Sequence, residues 1–287
     1  MHYLEGLNEL ITLDISLTRV TDDGLKKLQG LKKLERLLLS NCHKVTDSGL
    51  EYLNGMTELK DLALNGTHIT DAGLKYLKSL EKLEKLDLRR TNLNGSGLSE
   101  IKDLKQLREL TLAETQVDDE SIKYLEGLTN LEKLYLEKTR VGSTGMVHLK
   151  GLTKLKYLCL PYETDKTNEL DDKGLEILAG LTQLEDIGFG GTKITDAGLR
   201  CLRRMKDLKR LGIVCPNVTD AGLEHIKGLD KLYSLCIRCP QITDAGLKHL
   251  KGLKNLKEIN LGKDSKVTSA GMEDLQNSIS GLEFDNW

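Results

Sequence analysis

Cys236-Ile237-Arg238-Cys239 sets two thiols three positions apart, the C-x-x-C spacing that holds zinc or carries out thiol–disulfide exchange. Gly188-Phe189-Gly190-Gly191 is glycine-rich, as phosphate-cradling loops are. Tyr52, Tyr76, Tyr124, His148, His225 and His249 recur at one offset, and imidazoles in a stripe are potential metal ligands. Asp and Glu are plentiful, and paired carboxylates do acid–base work. The chain has no G-x-S-x-G, H-E-x-x-H, P-loop or G-x-G-x-x-G. All such chemistry needs groups that converge, so each of these features depends on the elements that carry it.

Those elements repeat. ITDAGL or a variant recurs along the chain, its glycine at 24, 49, 73, 97, 145, 174, 198, 222, 246 and 271, with Ser121 in its place once. Successive spacings are 25, 24, 24, 24, 24, 29, 24, 24, 24 and 25. The chain reads as eleven units of about 24 residues with partial units at both ends, one domain over 1–287. Unit three, MTELKDLALNGTHITDAGLKYLKSL, shows the whole pattern. Its LxxLxL segment alternates with period two, the mark of a strand. From Thr70 onward, Leu74, Leu77 and Leu80 take helical spacing, and Thr70 or Asp71 is placed to cap that helix. Gly73 lets neighbouring coils approach closely. One unit cannot bury its leucine face alone, whereas stacked units bury it in a continuous core.

This pattern resembles the leucine-rich repeat family over essentially the whole chain. The family segment LxxLxLxxNxL appears with threonine in the asparagine place at Thr18, Thr67, Thr91, Thr115, Thr139 and Thr192. Unit two, LLLSNCHKVTDSGLEYL, carries Cys42 there with one extra residue before Val45, and is similar to the cysteine-containing subclass of F-box proteins. The 24-residue T-x-I-T-D-x-G-L form looks like that of bacterial leucine-rich repeat proteins. The resemblance implies an α/β leucine-rich repeat solenoid, a horseshoe with a parallel concave sheet and short convex helices. Strands about 4.8 Å apart opposite helices about 10 Å wide bend such a stack toward its strands.

Placed on this frame, the apparent sites lose their convergence. Leu235 and Ile237 are core positions, so Cys236 points outward and Cys239 lies at the strand end, roughly 10 Å along an extended chain. A disulfide needs Cα atoms about 4.4–6.8 Å apart, which C-I-R-C reaches only if Pro240 bends it back. Cys215 matches Cys239 one repeat earlier, on a neighbouring strand about 4.8 Å away, and the pair is expected to be packed, reduced thiols. Gly188–Gly191 fills the LxL slot of unit eight, with no loop-to-helix step to hold phosphate. Helices about 10 Å apart keep His225 and His249 from sharing a zinc, so the aromatic stripe reads as rings lying between helices. The Thr-Asp pairs read as helix caps.

Solenoid curvature makes the concave face the binding surface. The middle residue of each LxL and the next-but-one point to it, polar and charged in units one to six, small in units seven to ten (Cys159, Gly188, Gly212, Cys236, Pro161, Gly190, Val214). The small residues form a trough with Tyr135 and Tyr157 near its early edge, Tyr233 at its later end, and Arg238 breaking the run. The insertion PYETDKTNE at 161–169 adds Tyr162 beside it. Tyr and Arg carry most interface energy, so the expected partner-binding residues are Arg89, Tyr135, Tyr157, Tyr162, Val214, Tyr233 and Arg238.

Composition narrows the function further. Lys+Arg 42 against Asp+Glu 44 leaves a net charge of -2, without global attraction to nucleic acid or anionic membrane. The column Arg36, Asp61, Lys85, Glu109, Lys133 alternates in sign, which suits pairing between strands better than a phosphate track. No apolar run approaches the roughly 18–20 residues of a membrane span, and no signal peptide is visible. Six cysteines in a chain of 287 residues fit reduced thiols and a cytoplasmic setting. MHYLEGLNEL matches the helix end of unit five, IKYLEGLTNL, so the chain begins inside a repeat. Trimming of a longer protein is one explanation; self-association through an uncapped N-terminal edge is another. Leu282-Glu283-Phe284 reads as a last strand, with Asp285, Asn286 and Trp287 after it. The expected function is a non-catalytic scaffold that binds an unknown protein partner on its concave face, without cofactor or metal, nucleic acid or membrane. The alternative is the substrate-recognition part of an F-box type ubiquitin-ligase adaptor.

Overall fold

Each L-x-L run becomes a short strand because its two apolar side chains drop to one side and the residue between them stands on the other. Leu62 and Leu64 are fully buried, whereas Ala63 between them is half-buried. The computed structural model describes residues 4, 6–162 and 170–284. The chain forms two compact units, Met1–Thr139 and Arg140–Trp287.

The first unit contains strands β1 (Thr12–Asp14), β2 (Arg36–Leu38), β3 (Asp61–Ala63), β4 (Lys85–Asp87), β5 (Glu109–Thr111) and β6 (Lys133–Tyr135). Each pairs with the next in parallel, one repeat apart, so that Arg36 faces Asp61 and Asp61 faces Lys85. Short helical segments return the chain to the next strand, α-helical at Asp47–Leu50 and 3-10 at Asp71–Leu77, for example. The second unit repeats the plan with β7 (Tyr157–Cys159), β8 (Asp186–Gly190), β9 (Arg210–Val214), β10 (Ser234–Ile237), β11 (Glu258–Leu261) and β12 (Glu283–Phe284). These pair in the same parallel order. The last strand expected from the sequence is therefore present as β12; residues 285–287 and 163–169 lie outside the described residues.

The T-D-x-G motif binds neighbouring coils together. Thr70 caps its own helix by accepting the N–H of Ala72 (3.3 Å), as expected. The aspartate does something different. Asp47 accepts the N–H (2.8 Å) and hydroxyl (2.6 Å) of Thr70 in the next coil. The same fork recurs from Asp22 to Thr46, Asp172 to Thr195, Asp196 to Thr219, Asp220 to Thr243 and Asp244 to Thr268. Hydrogen bonds from the N–H and hydroxyl of Thr268 hold the Asp244 carboxyl below its ordinary 3.8. The sequence reading of Thr-Asp as a helix cap is thus corrected for its second residue, which is a bridge between coils.

The glycine of the motif makes room for that bridge. A Cβ on Gly222 would stand 2.5 Å from Asp196 Oδ1, and one on Gly73 or Gly246 would meet Asp47 or Asp220 in the same way. The exception supports the rule. Unit four has Gly95 in the aspartate place, at φ 105, and unit five then carries Ser121 in the glycine place. Ser121 fills the volume a Cβ at Gly95 would need, and caps its helix with Asp118 in a reciprocal box. Ser143 and Asp171 invert the polarity, the serine hydroxyl donating to the carboxylate at 2.5 Å.

At the strand exits, Leu17, Asn41, Arg90, Glu114 and Lys138 adopt the left-handed conformation, with φ between 54 and 58. The threonine after this turn donates to its own coil, as Thr91 does to the Leu88 carbonyl (2.6 Å). Units nine and ten replace the left-handed residue with Cys215 or Cys239 and the threonine with Pro216 or Pro240. Their strands run on to five and four residues, and both thiols are buried. Burial raises the Cys239 thiol from its ordinary 9.0 to about 12 and raises Cys215 as well, the neighbouring Cys239 adding to the effect. None of the six cysteines is joined in a disulfide.

Two tests follow from this packing. Gly246→Ser alone should destabilise the protein by about 1–3 kcal/mol, because the Asp220 carboxylate occupies its Cβ space. The double variant Asp220→Gly with Gly246→Ser should lose less than the sum of the single variants in thermal denaturation; simple additivity would remove the steric explanation. In native alkylation with iodoacetamide at pH 8, peptide mapping should show half-exposed Cys159 and Cys236 modified well before Cys215 and Cys239. Equal rates would contradict the packed-thiol assignment.

Candidate functional site

The sheet face of the second unit is lined in register by Cys159, Gly188, Gly212 and Cys236 from β7 to β10, all half-exposed. At its centre the strip is open. A Cβ on Gly212 would meet only the Gly188 Cα, at 3.6 Å, and one on Gly188 only the Cys159 sulfur, at 3.4 Å. Gly190 and Pro161, expected on the same floor, are buried. A Cβ on Gly190 would lie 2.6 Å from the Val214 carbonyl oxygen and 2.8 Å from that of Tyr162, so this glycine serves a close backbone approach.

The expected binding residues do not gather around a single trough. Tyr157 opens β7, in register with Asp186 and Arg210, and Tyr233 immediately precedes β10. The two tyrosines line a cleft of about 600 Å³ at the strand-start edge, together with Lys209, Arg210, Lys231 and Lys257. Arg210 lies 5.8 Å from the centre of the Tyr157 ring and forms an ion pair with Asp186 (2.7 Å). Lys209 pairs with Glu185 (2.7 Å), whose hydrogen bond and charge raise the lysine's pKa, and Lys231 pairs with Asp207 (2.6 Å). Arg238 lies past the opposite end of the strand and lines a separate cavity of about 310 Å³ with Asn260, Lys263 and Asp264. Val214 ends β9 half-buried, and Tyr162 stands exposed beyond β7.

Arg89 and Tyr135 belong to the first unit. Arg89 follows β4, with its N–H on Asp87 Oδ1 (3.0 Å), and Tyr135 closes β6 in register with Thr111. Burial pushes the Asp87 carboxyl above its ordinary 3.8, against the opposing pull of Arg89. The charges at the strand starts pair between strands as expected, Arg36 with Asp61 (3.0 Å) and Glu109 with both Lys85 (3.9 Å) and Lys133 (3.2 Å). The lysines of the second unit's cleft were missed because the sequence reading took Tyr157 and Tyr233 as edges of the outward trough and read the charged column beside the strands only from Arg36 to Lys133. Their signal is the column just before the strands, Glu185, Lys209, Tyr233, Lys257.

The chemical motifs fall into structural roles. Cys236 is half-exposed while Cys239 is buried, so the C-x-x-C thiols lie in different environments. Phe189 of the glycine-rich segment is fully buried in β8. The aromatic stripe is half-buried, with the ammonium of Lys75 4.8 Å from the centre of the Tyr76 ring. Burial, reinforced by Arg203 and Arg200, lowers the pKa of His225. Among the described residues no group of three or more His, Cys, Asp or Glu could hold a metal ion, and no helix is long and apolar enough to cross a membrane.

Comparison with known structures places this architecture among repeat proteins. An internalin (inlF) of Listeria monocytogenes aligns over 98% of this chain and 88% of its own, with TM-score 0.68 and 21% identity. A leucine-rich repeat protein of Leptospira interrogans aligns over 100% and 74%, with TM-score 0.67 and 20% identity. The leucine-rich repeat ectodomain of an Arabidopsis thaliana receptor kinase, solved in complex with Casparian strip integrity factor 2, aligns over 98% of this chain but 33% of its own (TM-score 0.60, 18% identity). A search of curated protein sequences found no match. The sequence itself matches the leucine-rich repeat region family over residues 16–279, and the chain belongs to that family.

Proposed function

We propose that this protein is a non-catalytic protein-binding scaffold that takes its partner on the sheet face of the second unit. One observation carries the reading: Gly188 and Gly212 leave an open strip on strands whose backbone groups are already paired. A partner laid there meets surface without leaving ladder N–H or C=O groups unsatisfied. Tyrosine and arginine, which supply much of the energy of protein interfaces, stand at the two ends of these strands. The plant ectodomain of the same fold was solved with a partner bound. Cys42, which suggested an F-box adaptor, is buried and donates to the Ile15 carbonyl (3.2 Å), a packing role that favours neither reading. Six cysteines outside any disulfide suit a reducing compartment such as the cytoplasm.

Gly212→Arg tests the reading, since the site admits a side chain without a backbone clash. Affinity capture from the native lysate with mass spectrometry should show at least one partner of the wild type reduced about tenfold, with a melting temperature within about 2 °C of wild type. Arg238→Glu, at the far end of the same strands, should weaken capture without unfolding. Undiminished capture by Gly212→Arg would exclude the strip as the contact surface.

A further inference from the structure

The cleft at the strand-start edge of the second unit has a chemistry that narrows the class of partner. Its four cations are not all balanced. Glu185 pairs Lys209, Asp186 pairs Arg210, and Asp207 pairs Lys231. Lys257 is left with the carbonyl oxygen of Ser280 as its partner (2.6 Å), and no carboxylate lies within ion-pair distance of it among the described residues. Tyr233, next to it in the cleft, is 48% exposed, and its hydroxyl makes no hydrogen bond among the described residues. Tyr157 is half-buried on the opposite side, under Arg210. The cleft therefore combines two aromatic walls, one unmatched ammonium and a volume of about 600 Å³, within the range of sites that hold a few anchoring side chains.

We infer that this cleft docks an extended protein segment in which a carboxylate side chain neighbours a large apolar one. The apolar group enters between Tyr157 and Tyr233, where the rings give contact area at little entropic cost. The carboxylate reaches Lys257 and completes the alternation of charge that Glu185, Asp186 and Asp207 begin. A basic segment is disfavoured, since it would set a second cation against Lys257 and Lys231. This inference deepens the protein-binding reading and rests on it: the open strip holds the backbone of the partner, and the cleft selects its side chains.

The test uses two fluorescent dodecapeptide pools, one with a central Phe flanked by Asp and Glu, the other with the same Phe flanked by Lys and Arg. Anisotropy titration of the full chain at low salt should show the acidic pool bound at least about tenfold more tightly. That preference should vanish in Lys257→Glu, the acidic pool should weaken by a similar factor in Tyr233→Ala, and both variants should melt as wild type does. Equal binding of the two pools, or an acidic preference untouched by both variants, overturns the inference. If Gly212→Arg abolishes capture of the native partner while Lys257→Glu and Tyr233→Ala leave it intact, the scaffold reading stands and the cleft assignment falls. If Gly212→Arg also leaves capture intact, the scaffold reading falls with it.

Discussion

The fork from the motif aspartate to the threonine of the next coil, made at six junctions among the described residues, is the constraint on which the packing of those coils depends. It ties successive helical segments together, alongside the ladder that pairs the strands of the same coils in register. It also explains why three residues of the motif travel together. The threonine accepts a cap bond within its own coil and donates two bonds to the previous one. The aspartate receives those bonds, and the glycine leaves space for the carboxylate. Altering one member burdens the others, which is why Gly95 and Ser121 depart from the pattern together.

This arrangement divides the protein by task. On the helix side, carboxylates and hydroxyls are committed to neighbouring coils, and thiols such as Cys201 are buried, with a pKa raised to about 12. Groups engaged in this way are poor nucleophiles and poor bases. On the sheet side the strand ladder satisfies the backbone, and each coil offers one or two outward side chains whose identity the fold does not dictate. Variation there costs little stability, so it is where recognition can be written.

The repeat period, the strands and the helical segments were legible in the sequence because each rests on local periodicity copied many times. Gly73 as a point of close approach was legible too. The destination of Asp71 was not. Its carboxylate accepts the N–H groups of Asn94 and Gly97, and a bond to the following coil leaves no trace in the spacing of one unit. For the surface, the strip of small residues could be read from L-x-L positions, whereas the division between the tyrosine cleft and the Arg238 cavity could not. Outward position tells which face a residue occupies; it does not tell which end of the strand its side chain lies against. Tyr157 and Tyr233 sit at different offsets from their strands, and only the parallel register brings them to one edge.

The two units differ in what their sheet faces ask of a partner. In the first, Arg36, Asp61, Lys85 and Glu109 already satisfy one another, and burial has raised the Asp87 carboxyl. A partner there must displace paired charges or match them, and rim pairs of this kind return only about 0–1 kcal/mol each. In the second, Gly188 and Gly212 present backbone whose polar groups are spent in the ladder. Covering them removes water at little desolvation cost, because no side-chain charge needs a new partner. In units nine and ten, where Cys-Pro replaces the left-handed turn, β9 and β10 run to five and four residues beside the five-residue β8 and lengthen the same strip. On the proposed reading, binding free energy is set by the few side chains at its margins, Tyr157, Tyr233 and Lys257 at one edge and Arg238 at the other. If the proposed reading holds, a surface with a neutral floor and selective margins discriminates among partners by their side chains while accepting the backbone of any of them.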